Sequence, residues 1–242
     1  MSVDAPVVDV RGYGLPGPKA LLVLYLPVVA LLVLVMAAVF SWHIPLSTLT
    51  RDMASIANVH PLIGVVSNVG VLLWCAATAI CLFGFSLLRQ RGLRVEARFL
   101  MWAGLMTLVL LIDDLFMIHE YIAPVHFRVN EKLVLISYAC ATGVYLLSHR
   151  RLILSANYLL LAAAMALFTA SMLVDIADGR GWWRLAEDGC KILGIASWLG
   201  YHAGRARHWL VRAPDPRTQT ITGSHPIELV GRKVIEPSAP AS

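Results

Sequence analysis

Between residues 111 and 120 the sequence reads LIDDLFMIHE. Two aspartates, a histidine and a glutamate close a run that is apolar from Phe99 onward. Carboxylates beside an imidazole are the groups that move protons near neutral pH or ligate divalent metals. Comparable groups recur elsewhere: Ser67 and Asn68 in GVVSNVG, Ser171, Asp175 and Asp178 in SMLVDIAD, and Glu187, Asp188 and Lys191 in EDGCK. Two kinds of role are expected. Asp113, Asp114, Ser67 and Lys191 are candidates for proton transfer and catalysis; His119, Glu120, Asp175, Glu187 and Asp188 are candidate metal ligands. A divalent ion held there (zinc, manganese or iron) would activate water or O₂ against a lipid-soluble substrate. No HxxxH or HExxH pair accompanies these residues.

The elements that must position them follow from composition. The chain has 242 residues, 58% hydrophobic and 14% charged, where a soluble domain has about half and about a quarter. The excess lies in six runs, at 20–42, 62–88, 99–119, 132–148, 152–174 and 185–204. Crossing the hydrocarbon of a bilayer takes ~20 helical residues, so the expected architecture is an all-α bundle of six transmembrane helices. The first run is too long for the apolar core of a cleaved leader and is expected to be a retained anchor. Residues 1–18 and 206–242 are expected to be tails flanking a membrane domain at 19–205. Leu46, Leu49, Met53 and Ile56 are spaced for a short interfacial helix, starting after Ser47 and ending before Pro61.

Charge sets the expected orientation. Of the 20 Lys and Arg residues, 14 fall in the two tails and in the connections after runs 2 and 4; six fall on the other side: Arg51, Arg128, Lys132, Arg180, Arg184 and Lys191. Basic residues mark the cytoplasmic side, so both termini are expected inside a bacterial-type inner membrane. The net charge of +5 is accounted for by this asymmetry, and no nucleic-acid partner is needed. Membrane lipid and a lipid-soluble substrate are the expected partners. Four cysteines without a CxxC pair are expected to pack rather than react.

With that topology the polar groups of runs 2, 3, 5 and 6 meet in the outer leaflet. Asp113 lies ~21 Å along a helix from Phe99, inside a core ~30 Å thick. On one continuous helix Asp113 and Glu120 share a face, while Asp114 and His119 diverge by ~140°. Lys191 follows Glu187 and Asp188 by one turn, a spacing suited to an ion pair. His202 lies ~16 Å beyond Lys191 and falls outside the cluster. Asp113, Asp114, Glu187 and Asp188 thus face a single base, and the surplus negative charge requires protonation, water or a bound cation.

SNVG (67–70) and LIDDLFMI (111–118) resemble the serine and aspartate motifs of the alkaline ceramidases and their relatives, seven-helix zinc amide hydrolases. That resemblance implies the family's serine role for Ser67 and its aspartate role for Asp113 or Asp114. No histidine follows Ser67 by four residues, and His202 and His208 are six apart. A cation- or proton-coupled transporter and a non-catalytic subunit of a membrane complex fit the same polar groups. Gly189, Gly194 and Gly200 are expected at close helix contacts, and Trp42, Trp182, Trp183 and Trp209 in interfacial belts.

Overall fold

Long apolar runs leave the backbone no hydrogen-bond partner but itself, and helix is the result along the chain. The computed structural model describes residues 18–51, 53–176 and 182–212, and every regular element among them is helical. Asp178 and most of both expected tails lie outside the described residues. The chain divides into two units, Met1–Ile63 and Gly64–Ser242.

The first unit contains α1 (Pro18–Trp42), α2 (Leu46–Thr50) and α3 (Met53–Ala57). Leu22, Leu34 and Phe40 of α1 are all exposed, and a helix apolar on every side is suited to lipid. The single interfacial helix expected after Ser47 is instead two short ones. Arg51, in extended backbone at φ −95° and ψ 153°, ends the first.

The second unit holds α4 (Val65–Gln90), α5 (Arg94–Phe116), a π turn at Ile118–Ile122, α6 (Ala123–His126), α7 (Glu131–Ser148), α8 (Arg150–Leu154), α9 (Leu159–Ile176) and α10 (Trp182–Arg212). α4 and α5 form an antiparallel pair closed by Gly92, whose φ of 78° suits glycine. α10 packs on α4 and α9 and also meets α5, while α7 touches α5. Asn130 starts α7 by accepting the Lys132 N–H on its side chain, 2.9 Å away.

Glycines set the closest seams. A Cβ on Gly84 would lie 2.7 Å from Leu100, and one on Gly104 2.7 Å from Leu82, so both belong to the α4–α5 contact. A Cβ on Gly194 would strike the Phe168 ring at 2.7 Å, which fixes how closely α9 and α10 approach. Gly189 faces open space and Gly200 meets only an ordinary contact, so of the three glycines expected at seams, Gly194 alone requires its missing side chain. Trp209 packs its ring against Phe99, centroids 5.5 Å apart.

Among the described residues, three helices are long and apolar enough to cross a bilayer: α1 over Tyr25–Trp42, α4 and α5. This is a membrane protein by that measure. Three of the six runs deviate from the expected bounds. Run 3 breaks at Phe116, because Met117 adopts left-handed backbone (φ 51°, ψ 47°) and its N–H closes on the Asp113 carbonyl. Run 5 is interrupted between Leu154 and Leu159, which leaves α9 with 18 residues. Run 6 lies within α10, whose 31 residues continue to Arg212.

Candidate functional site

The break at Met117 builds the site. A continuous helix would have aimed His119 away from Asp113; the left-handed residue and the π turn fold it back. The His119 backbone N–H donates to Asp113 Oδ1 at 3.0 Å, and the His119 ring contacts Asp113 Oδ2 through Nδ1. From α7, the Tyr138 hydroxyl donates to the same Oδ1, also at 3.0 Å. Three donors from two segments therefore hold one carboxyl whose side chain is only 6% exposed. On the far edge of the imidazole, Nε2 stands 3.5 Å from Glu120 Oε1, and the Glu120 side chain is 55% exposed.

Asp114, the next residue, points elsewhere and meets different partners. Lys191 Nζ of α10 donates to its Oδ1 at 2.6 Å, a charge-assisted length. Trp74 Nε1–H of α4 donates to its Oδ2 at 3.2 Å. Lys191 therefore pairs across helices with Asp114, and its expected pairing with Glu187 or Asp188 on its own helix gives way. An acid near the interior gains more from a cation than acids at the exposed rim do.

The rim groups are looser. Glu187 is half-buried and within electrostatic reach of Asp175, Asp188, Glu120 and Lys191, while Asp175 and Asp188 are exposed. Ser67 is exposed on α4 and makes no hydrogen bond among the described residues, so the serine and aspartate motifs of the ceramidase resemblance are not joined. Among the described residues, no three His, Cys, Asp or Glu side chains gather where they could hold one metal ion.

A second polar layer lies two helical turns further along α5 and α10, ~10 Å away. Trp198 Nε1–H donates to Thr107 Oγ1 at 3.0 Å, and that hydroxyl donates to the Ala103 carbonyl at 2.7 Å. His202 is fully buried. Its Nδ1 lies 2.9 Å from the Trp198 carbonyl and so carries the proton, which leaves Nε2 to accept the Tyr145 hydroxyl at 3.0 Å. The ring is stacked on Phe99 at 5.7 Å. Every polar atom of His202 is thus used in packing, in keeping with its exclusion from the acidic cluster.

Trp74 and Tyr138 were not foreseen as site residues. Tyr138 carried a signal: it precedes Tyr145 by seven residues, so two hydroxyl-bearing rings share one face of an apolar helix and need polar partners inside the bundle. Trp74 carried none apart from its indole N–H.

An open apolar cavity of about 600 Å³ runs along the α5–α7 seam, lined by Trp102, Leu105, Val109, Tyr138, Ala141 and Val144 among others. Tyr138 is therefore bonded to Asp113 and also lines this groove.

Fold and site together define a helical membrane protein organised around two buried, separately paired aspartates. The chain belongs to the family described as a domain of unknown function (DUF8692), whose model matches residues 24–204. No curated protein and no solved structure matches it.

Proposed function

We propose that Glu120, His119, Asp113 and Tyr138 form a proton relay serving a membrane enzyme that acts on a lipid-soluble substrate. The observation that carries this reading is the position of Tyr138, which donates to Asp113 and also lines the apolar groove. Glu120 at the exposed end takes a proton from water and His119 passes it between its two ring nitrogens. Asp113 orients the ring and takes the proton; the Tyr138 hydroxyl then turns to give its own hydrogen to a polar atom of a substrate lying in the groove and is reprotonated by Asp113. The 3.5 Å gap between Glu120 and His119 is closed by one water or a small side-chain rotation. Lys191 and Trp74 hold Asp114 as the structural counterpart, which keeps α4, α5 and α10 in register.

In this reading α7, α9 and α10 also cross the bilayer, giving six spans with both termini cytoplasmic in a bacterial-type inner membrane. The distribution of basic residues supports that arrangement. α9, at ~27 Å, is close to the ~30 Å of hydrocarbon. The divalent ion expected from the charge surplus would draw on His119, Glu120, Asp175, Glu187 and Asp188, no three of which gather around one point among the described residues. His119 and Lys191 already answer the two acids Asp113 and Asp114.

The test is a comparison of lipid-soluble species after incubating full-length protein in nanodiscs of native lipid extract, wild type beside Asp113→Asn and Tyr138→Phe. Turnover of at least one species by wild type, lost in both variants while each stays folded, is expected. Identical profiles in all three samples would refute the enzyme reading.

A further inference from the structure

At the other end of the α5–α7 seam lies a second open cavity, of about 560 Å³, with a different lining. Arg98 enters it from the second turn of α5, and Arg150 and Arg151 enter it from the start of α8, beside Ser148 and His149. All three arginines are exposed, and none forms an ion pair among the described residues. Three guanidinium groups around one concavity, without a carboxylate to balance them, make an anion site.

Its neighbour defines the rest of the ligand. Trp102, Ser148 and His149 line both this cavity and the apolar groove, so the two adjoin along the α5–α7 seam and together offer one channel. Beyond the arginines, Trp102, Leu105, Val109 and Val144 are all exposed along it. From Arg98 to Val109 the helix rises ~16 Å, which is about half of a ~30 Å hydrocarbon core and hence one leaflet. A soluble anion would use the arginines and leave the apolar lane empty; a zwitterionic lipid would use the lane and offer no net charge to the arginines. We infer that this channel is a binding site for an anionic phospholipid, its phosphate held by Arg98, Arg150 and Arg151 and an acyl chain lying against Trp102 and Leu105. Basic pockets between membrane helices take such headgroups generally. The acyl lane shares the apolar groove with the substrate of the proposed relay, while the arginines stand apart from Asp113 and His119, so the headgroup variants test this site separately from that reading.

Native mass spectrometry of the full chain tests this, with protein released from nanodiscs of equal phosphatidylglycerol and phosphatidylcholine. Wild type is expected to retain phosphatidylglycerol preferentially. Each Arg→Gln substitution is expected to weaken retention about fivefold, and the triple variant at positions 98, 150 and 151 by about a hundredfold. Arg212→Gln, an equal loss of charge outside the pocket, is expected to leave retention unchanged. Val144→Trp, which fills the lane and keeps every charge, is expected to reduce retention as well. Equal retention of the two lipids, or a triple variant indistinguishable from Arg212→Gln, would overturn the proposal. So would full competition by soluble glycerol phosphate, because that would make the site one for a free anion.

Discussion

Replacing Lys191 by methionine removes the cation 2.6 Å from Asp114 and keeps most of the aliphatic stem. Asp114 is then left with the Trp74 N–H alone, in a position where its side chain is 9% exposed. Breaking a fully buried pair from one side costs roughly 3–5 kcal/mol, because the remaining charge is stranded. Lys191 is itself 37% exposed, so water screens part of the attraction and the expected loss falls to about 2 kcal/mol. Removing both charges, as Lys191→Met with Asp114→Leu, strands nothing except the Trp74 N–H, and is expected to recover about half of that loss. Reversible unfolding in mixed detergent micelles measures all four members of the cycle, with coupling taken as the departure from additivity. A single variant within about 0.5 kcal/mol of wild type, or a double variant less stable than the sum of its parts, would refute the assignment of this pair to α5–α10 register.

Other substitutions probe the backbone and the seams. Met117 holds a left-handed conformation that costs a non-glycine residue about 1 kcal/mol. Its side chain is 47% exposed, so Met117→Gly is expected to hold or raise the unfolding midpoint in detergent; a fall would show that the side chain anchors the turn. Gly194→Ala drives a Cβ to 2.7 Å from the Phe168 ring and is expected to cost about 1–3 kcal/mol, read by the same unfolding assay. Gly189→Ala, where nothing lies within 4 Å, is the control and should be neutral or slightly stabilising.

Much of the helical content was legible because unbroken apolar runs admit few alternatives, and each of the six runs contains a helix. What the sequence did not disclose was where the helices stop. Nothing in LFMIHEYI announces a left-handed methionine, since no Gly, Asn or Pro marks the position. That one residue changes the site: with α5 continuous, Asp113 would share a face with Glu120, whereas the turn gives it His119. The low exposure of the Asp113 and Asp114 side chains follows from depth alone. Their partners do not, because pairing across helices depends on which faces meet. Sequence spacing offers Lys191 its neighbours Glu187 and Asp188, and it bonds instead to an acid 77 residues away. Tyr138 escaped for a related reason: a tyrosine in an apolar helix looks like packing until the group its hydroxyl reaches is known.

The central claim is that His119, Asp113 and Tyr138 act as one proton-sharing unit connected to water through Glu120. Nuclear magnetic resonance of ¹⁵N-histidine-labelled protein in nanodiscs tests it most directly, with His119 assigned by its absence in His119→Gln. The account expects a hydrogen-bonded Nδ1 proton whose shift moves in Asp113→Asn and also in Tyr138→Phe, since Tyr138 shares the same carboxyl. Exchange of that proton with solvent is expected to slow in Glu120→Gln. A His119 signal indifferent to Tyr138→Phe, with unchanged exchange in Glu120→Gln, would contradict the relay and leave the cluster a packing element.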